Sequence, residues 1–193
     1  MKVLVVIGSL RAASFSRKIA QSAAALAPEG MEFEFVDGRD VPLYDQDLDG
    51  EEKPAAVMKL FDQVSGADAL FFVTPEFNYG IPGTLKNWID WASRPAFKSP
   101  VKGKPALIVA CSPAPTGGAR AYAQLATVLS GTLTPVFLAP SFLVAAVHEK
   151  FDDAGELTDD VTRGRLVRTL SEFRAWVEEL GDRSIAPTKG KEA

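Results

Sequence analysis

Runs of apolar residues alternate with segments of helical spacing along most of the chain. Five short runs predict strands, at Val3 to Ile7, Phe33 to Val36, Leu70 to Val73, Ala106 to Cys111 and about Pro135 to Leu138. Between the runs, apolar positions recur every three or four residues, which predicts amphipathic helices. These segments lie between Phe15 and Leu26, Val57 and Val64, Leu85 and Ala92, and Leu125 and Leu129, with a closing helix from Leu166 to Leu180. The alternation predicts a parallel sheet with helices on both faces.

Three of these runs are apolar at every position. They are the first, third and fourth, and such continuity is typical of central strands covered on both faces. Pro135 lacks a ladder donor and therefore suits an edge strand. For five such strands we expect the flavodoxin-like order 2-1-3-4-5, an α/β three-layer sandwich. In that order the first and third strands are neighbours. The loops that follow them therefore border one crevice, although about 60 residues separate the two loops in sequence.

Length and composition favour one domain. The chain has 193 residues, of which 47% are hydrophobic, and no linker-like segment divides it. We expect a single domain over residues 1–185 and a polar tail over 186–193. The formal net charge is -4 and the Lys and Arg residues are scattered, so nucleic acid is not an expected partner. No apolar stretch approaches the roughly 18 residues of a spanning helix, so we expect no membrane partner and a cytoplasmic protein.

The chain holds one cysteine and one histidine. A lone cysteine excludes an intrachain disulfide, and a single histidine leaves no His/Cys set for zinc or an iron–sulfur cluster. We therefore expect no metal site. Cys111 is expected to be an inert buried thiol, and His148 to lie at the surface or in an interface.

The first crevice loop follows Gly8, at the end of the first apolar run. Gly8 permits a tight turn, and Ser9 to Ser16 lead into the start of a helix. Unpaired N–H groups at a helix start form an anion site, to which Arg11 adds a positive charge and the serines add hydroxyl donors. The alternative is a helix capped by Ser14, with Ser9 and Arg11 merely solvated.

The second crevice loop follows the third apolar run and combines polar and aromatic groups, as Pro75-Glu76-Phe77-Asn78-Tyr79-Gly80. With the following residues to Asp90, it resembles the flavin loop of the NADPH-dependent FMN reductase family, P-E-[FY]-N-[YH]-x-x-P-[GA]-x-L-K-N-x-[IL]-D. A second family motif, G-S-x-R-x-x-S-x-N-x-x-x-A, is similar to the stretch from Gly8 to Ala20, with Ser16 where the family commonly has Asn. The stretch from Phe151 to Asp159 is similar to a late family pattern, F-D-x-x-G-x-L-x-D. The resemblance spans roughly residues 2 to 180.

The resemblance implies a bound FMN, with its phosphate at the first loop and its isoalloxazine ring at the second. The residues then expected to bind FMN are Ser9, Arg11, Ser14, Phe15, Ser16, Pro75, Glu76, Phe77, Asn78, Tyr79, Ser112 and Gly117. Pro75, Phe77 and Tyr79 can offer apolar surface to the ring. The Asn78 N–H is expected to face N5 or O4 of the ring. No side chain is expected to be catalytic, because hydride chemistry belongs to the flavin. Glu76 could be assigned as a general acid, but hydride transfer to flavin requires no carboxylate, and a solvent-facing or loop-ordering carboxylate is favoured over an acid; Glu76 is therefore assigned to binding.

A third loop, between Cys111 and Arg120, is similar to the family's S-x-x-x-x-x-G-G-x-[RK] region. Ser112 and Gly117 are its candidate ring contacts, since glycine permits close backbone approach. The alternative is an ordinary glycine at a helix start, with Arg120 solvated.

The helix after the second loop has mostly structural signals. Lys86 and Asp90 have the spacing of an i,i+4 ion pair. Trp88 and Ile89 are expected in the core or in a subunit interface. Trp91 lies off the apolar stripe, which hints at an oligomer interface.

The family resemblance implies an oxidoreductase that passes hydride from NADPH or NADH through FMN to a small acceptor. Quinones, azo dyes, free flavin and chromate are the expected acceptors, and a homodimer or homotetramer is the expected assembly. The alternative is a flavodoxin-like electron carrier that a protein partner reduces. The chain lacks the T-x-[TS]-x-x-T loop and the strong acidity of the small flavodoxins, and it has no G-x-G-x-x-G after the first strand. These features favour the reductase.

Overall fold

The computed structural model of the chain describes residues 1–185. The strands are β1 (Lys2–Ile7), β2 (Glu32–Asp37), β3 (Ala69–Pro75), β4 (Ala106–Cys111) and β5 (Val136–Val144). The α-helices are α1 (Phe15–Leu26), α2 (Ala55–Gly66), α3 (Gly83–Ala92), α4 (Ala119–Gly131) and α5 (Asp160–Ile185). Short 3-10 helices lie at Gln46–Leu48 and Val147–Glu149. The predicted tail, 186–193, lies outside the described residues.

The sheet has the order β2-β1-β3-β4-β5, with every pair of neighbours parallel, which confirms the predicted order and fold class. Strands β1 and β3 pair directly, from Val3 opposite Ala69 to Ile7 opposite Val73. Since both strands end at the same edge, the loops that follow them start side by side. The structure therefore brings these two loops together at one edge of the sheet, as predicted.

Strand β5 is longer than its apolar run predicts. Phe137 pairs with Leu107 and Phe142 with Val109, so β5 carries extra residues at a bulge. Arg165 of α5 secures the bulge, because its guanidinium donates to the carbonyls of Leu143 and Ser141, at 3.2 Å each. The guanidinium also lies over the Phe142 ring. Residue 140 is a proline, which hid the continuation of the strand in the sequence.

The core has one half on each face of the sheet. Helices α2, α3 and α4 pack on one face, and α1 and α5 on the other. Trp91 is fully buried, so its interpretation as an interface residue is wrong. Its Nε1 donates to the carbonyl of Pro42 at 2.9 Å, and its ring meets Tyr44 edge-on. The loop after β2 covers this side of α3, which helical spacing within α3 cannot reveal.

Two smaller predictions for α3 have clear outcomes. Trp88 and Ile89 lie in the core, and Lys86 forms the predicted ion pair with Asp90 at 2.6 Å. Within the part of the chain that the structure describes, no helix is long and apolar enough to cross a membrane.

Candidate active site

The first and second loops contact each other where β1 and β3 end. The Gly8 N–H donates to the Val73 carbonyl at 2.9 Å. A Cβ added at Gly8 would lie 3.0 Å from Thr74 Oγ1 and 3.2 Å from the Pro75 ring, so a larger residue would push the loops apart. Glycine here serves the close approach of two backbones.

The first loop leaves donors free near the start of α1. Ser14 caps the helix, since its Oγ accepts from the Arg17 N–H at 3.2 Å. The Ser9 Oγ accepts from the Arg11 N–H at 3.4 Å. Among the described residues, the Arg11 guanidinium and the N–H groups of Ala12 and Ala13 have no acceptor. The capping interpretation of Ser14 is therefore confirmed, and the free donors leave room for an anion.

Two other residues of the first motif contact side chains from later in the chain. Phe15 packs against Phe151, with 6.0 Å between ring centres, so the late motif lies against the start of α1. Ser16 is 1% exposed, and its Oγ lies 3.5 Å from Cys111 Sγ, where either atom can donate. Burial raises the pKa of Cys111 to about 11, although the Ser16 hydroxyl acts to lower it. The thiol is therefore neutral and buried, as expected.

A charged cluster at the end of β2, which the sequence analysis missed, contacts the first loop. It consists of Arg17, Asp37 and Arg39. Arg39 donates through Nη2 to the Leu10 carbonyl at 2.7 Å. Asp37, the last residue of β2, pairs with Arg17 at 2.9 Å and lies 3.8 Å from Arg39 Nε. The predicted strand order places the end of β2 at the same sheet edge as the end of β1, but it does not show that Arg39 contacts the Leu10 carbonyl. Arg39 and Asp37 thus link that edge to the first loop.

The second loop is a two-residue hairpin. Phe77 and Gly80 exchange backbone hydrogen bonds of 2.9 and 3.0 Å. Asn78 has φ 49° and Tyr79 φ 67°, the left-handed values that a type I′ turn requires. Asn tolerates this region, whereas a bulky Tyr is strained there. Within the described chain the N–H groups of Asn78 and Tyr79 have no acceptor, so both can face a ligand.

The aromatic side chains of the hairpin are open to solvent. Phe77 is 52% and Tyr79 73% exposed. An open depression of about 440 Å³ lies beside Glu76, Asn78 and Tyr79. Exposed rings next to free backbone donors suit a flat heteroaromatic ligand, which needs stacking on its face and hydrogen bonds at its edge.

Glu76 connects the hairpin to the start of α4. Its carboxylate accepts from the Arg120 and Ala121 N–H groups, at 3.0 and 3.3 Å, and from Arg120 Nη1 at 3.0 Å. Partial burial raises the pKa of Glu76, but the hydrogen bonds from Ala121 and Arg120 outweigh it, and the pKa lies below its usual range. The side chain is an ionised, 9% exposed acceptor at a helix N-terminus. The Glu76 carboxylate thus orders the loop, which is one of the alternatives that the sequence left open, and its assignment to FMN binding stays a prediction.

Two side chains of α4 complete the attachment. The Arg120 guanidinium lies 4.3 Å from the centre of the Tyr79 ring, so Arg120 is not merely solvated. Gln124 Oε1 accepts from the Ile81 N–H at 2.7 Å. The sequence analysis missed Gln124. The only available signal was its i,i+4 spacing from Arg120, which is common on exposed helix faces.

The third loop packs on the ends of the strands. Gly117 and Gly118 have φ 60° and 84°. A Cβ at Gly117 would lie 2.9 Å from the Ala145 nitrogen, so the glycine permits contact with the end of β5. Ser112 donates its N–H to Val144 at 3.1 Å, and its Oγ accepts from Ala114. Ring contacts of Ser112 and Gly117 stay predictions.

The remaining candidate groups for other chemistry are few. His148 is half exposed and lies 3.6 Å from Glu149 Oε1, at the surface as expected. Among the residues from 1 to 185, no group of three His, Cys, Asp or Glu side chains is arranged to hold a metal ion.

Within residues 1–185 the sheet is parallel and doubly wound, with unpaired donors in the loop after β1 and exposed rings and unpaired N–H groups in the hairpin after β3. This is the flavodoxin-like arrangement of a sheet and its loops. The chain belongs to the NADPH-dependent FMN reductase family, whose model matches residues 1–149. It is therefore an NAD(P)H-dependent oxidoreductase that works through FMN.

Individual relatives agree with the family. The chain is 39% identical to an NAD(P)H-dependent FMN reductase of Pseudomonas aeruginosa, over 93% of this chain and 97% of that protein. It is 37% identical to a quinone reductase of Escherichia coli, over 93% and 97% of the two chains. The structure of FerB, a flavoenzyme NAD(P)H:acceptor oxidoreductase of Paracoccus denitrificans, superposes with a TM-score of 0.83 at 34% identity, over 92% and 97% of the chains.

Proposed function

We propose that the protein reduces quinone-type acceptors with NADPH or NADH, using FMN seated between the first loop and the hairpin. When bound, FMN accepts hydride from the nicotinamide and passes reducing equivalents to the acceptor. The proposed position of FMN rests on one observation. The N–H groups of Asn78 and Tyr79, which have no acceptor in the described chain, lie in a turn, and the loop beside this hairpin holds Arg11, whose guanidinium also has no partner there.

The first loop holds the phosphate. Arg11 supplies charge, and the N–H groups of Ala12 and Ala13 supply neutral donors at the positive end of the α1 dipole. Ser9 and Ser14 add hydroxyl groups that can donate outward while their oxygens accept from the loop. Phe15 and Ser16 complete the family motif, Phe15 by packing against Phe151 and Ser16 through its contact with Cys111.

The hairpin and the third loop hold the ring. Pro75 and Phe77 offer apolar surface, and Tyr79 an exposed face that Arg120 supports. The Asn78 N–H is the donor to N5 or O4. Ser112 and Gly117 are the proposed contacts to the pyrimidine or dimethylbenzene side of the ring. Glu76 contributes by fixing the loop, and no side chain has to donate a proton for hydride transfer.

The acceptor class follows from the exposed rings and from the relatives. Apolar rings open to solvent suit a planar quinone, which stacks as it enters. Relatives include quinone reductases, and a 2-hydroxy-1,4-benzoquinone reductase of Burkholderia is 36% identical. Azo compounds, free flavin and chromate are further candidate acceptors. We also propose a cytoplasmic location and a homodimer or homotetramer.

Anaerobic reduction tests the proposal. FMN-loaded protein is mixed with NADPH or with NADH, and the flavin absorbance is followed before and after benzoquinone is added. We expect bleaching by one or both nucleotides and rapid recovery with the quinone. Bound FMN that neither nucleotide bleaches would instead support the electron-carrier alternative.

A further inference from the structure

One polar contact holds the hairpin from outside all the sequence motifs. Gln124 lies on α4, and its Oε1 accepts a hydrogen bond of 2.7 Å from the Ile81 N–H. Ile81 directly follows Gly80, which closes the turn by its two hydrogen bonds with Phe77. Gln124 therefore fixes the backbone one peptide beyond the turn.

Gly80 makes room for this contact. A Cβ added at Gly80 would lie 2.7 Å from Gln124 Oε1, closer than real Cβ atoms come to any atom. The φ of Gly80 lies outside the left-handed region, so the backbone itself does not require glycine. Glycine is needed at position 80 because a side chain there would collide with Gln124. Gly80 and Gln124 thus act as one unit.

Helix α4 contacts the hairpin at two further points. Its first N–H groups and the Arg120 side chain bind Glu76, and Arg120, one turn before Gln124, covers the Tyr79 ring. The hairpin is thereby attached before, within and after its turn to the first two turns of a single helix. A site held on a regular element is positioned more accurately than one on a free loop.

We propose that Gln124 is a positioning residue for flavin reduction: it fixes the turn that presents the Asn78 and Tyr79 N–H groups, without touching FMN. This inference rests on the proposed function, since it assumes that the turn faces the flavin ring. Hydrogen bonds prefer angles above about 150° and weaken steeply below about 120°, so a rotation of these amides toward the lower angle weakens their hydrogen bonds to the ring. The rate of flavin reduction and the flavin midpoint potential change accordingly.

Three variants of the full chain, loaded with FMN, separate this role from general stability. Gln124→Ala removes the acceptor. Gly80→Ala displaces the Gln124 amide, because the new Cβ would contact its Oε1. This atom is the far end of a flexible side chain, so it can move at little cost to folding. Gln124→Glu keeps an acceptor of the same reach, and its added charge lies one turn from Arg120. Gln21→Ala, which removes an exposed glutamine of α1, is the matched control.

Stopped-flow reduction at saturating NADPH and the flavin midpoint potential are the measurements. We expect Gln124→Ala and Gly80→Ala to be reduced roughly three- to tenfold more slowly, the scale of one hydrogen bond, with a shifted potential. Gln124→Glu and the control should stay near wild type. The double variant Gly80→Ala/Gln124→Ala should be no slower than Gln124→Ala alone, because both changes break one bond.

Several outcomes would overturn the inference. The first is a wild-type rate and potential in Gln124→Ala. The second is a double variant in which the losses of rate of the two single variants multiply. The third is a loss of rate that also occurs in Gln124→Glu and that follows a lowered unfolding temperature. If Gln124→Ala does not fold, Gly80→Ala and Gln124→Glu decide between the same outcomes. Wild-type protein that binds no FMN, or that no nicotinamide bleaches, refutes the proposed function instead.

Discussion

The Arg120 guanidinium lies between the Glu76 carboxylate, 3.0 Å away, and the Tyr79 ring, whose centre is 4.3 Å away. One side chain thus connects the residue before the turn to the strained residue within it. The ion pair neutralises a carboxylate beside the proposed flavin ring, and the stacking holds a tyrosine whose backbone conformation is unfavourable. Glu76 therefore has a structural task, from which its behaviour on substitution follows.

Glu76→Gln should keep flavin reduction by NADPH within about tenfold of wild type, or about 1.4 kcal/mol of barrier. The amide still offers one oxygen to the α4 N–H groups, and hydride transfer needs no carboxylate. Stopped-flow absorbance at saturating NADPH measures this rate. A loss of several orders of magnitude with FMN still bound would make the carboxylate catalytic.

The stability that Glu76 contributes should depend on pH. Because its pKa is lowered in the folded state, the folded protein binds a proton less readily than the unfolded chain. The contribution is present above the ordinary glutamate pKa and is lost as pH falls through the lower, folded pKa. Unfolding temperatures of wild type and Glu76→Gln, compared from neutral to acidic pH, should therefore converge on acidification. A constant difference would contradict the lowered pKa.

Arg11→Ala should weaken FMN binding by roughly 1.5 to 3 kcal/mol, the scale of a hydrogen bond to a charged group. The guanidinium has no other partner in the described chain, so its loss should leave folding unchanged. Fluorescence titration with FMN gives the affinity. Arg163→Ala, which removes an exposed arginine of α5, is the control. Equal affinities for the two variants would remove Arg11 from the site.

Asn78→Pro should abolish FMN binding or its reduction by NADPH. Proline fixes φ near about −65° and lacks an N–H, whereas Asn78 has φ 49° and offers its N–H to the ring. Asn78→Gly adopts the same φ and keeps the N–H, so it should bind FMN almost normally. Titration of both variants compares them directly. Normal FMN reduction in the proline variant would place the ring elsewhere.

Gly117→Ala should destabilise the protein by about 1 to 3 kcal/mol, because φ is 60° and the new Cβ would lie 2.9 Å from the Ala145 nitrogen. Gly131→Ala is the control. Gly131 is the last residue of α4, and its Cβ would meet nothing within 4 Å. Urea unfolding measures both. Similar midpoints for the two variants would show that the third loop adapts.

The architecture could be predicted because it depends on local patterns. Continuous apolar runs gave central strands, and the order of five such strands placed the two loops together. The end of β5 could not be predicted, since Pro140 interrupts the pattern and a bulge restores the pairing. Trp91 was misinterpreted because its partners, Tyr44 and Pro42, come from a loop whose path the α3 periodicity does not encode.

The candidate site also has features that local sequence predicts and features that it does not. The motifs located the loop that contains Asn78 and Tyr79, and the alternative interpretation of Ser14 as a helix cap was correct, because loops and caps are signalled by adjacent residues. The two-residue turn within the loop was not predicted. Arg39 and Gln124 were missed, since each binds a backbone atom of a different loop, 29 and 43 positions away. Such contacts arise only when the strands have brought their ends together.

The bulge in β5 bears on how copies of this chain can associate. An outer strand with a regular ladder offers a template on which a second sheet can grow. Here the ladder is interrupted between Phe137 and Phe142, and Arg165 occupies the carbonyls of Ser141, within this stretch, and of Leu143, just beyond it. At the opposite border, β2 carries Glu32 and Glu34, whose like charges repel a second β2. Continuous sheets across subunits are thus disfavoured at both borders, and helices and loops are left as the surfaces through which subunits can meet.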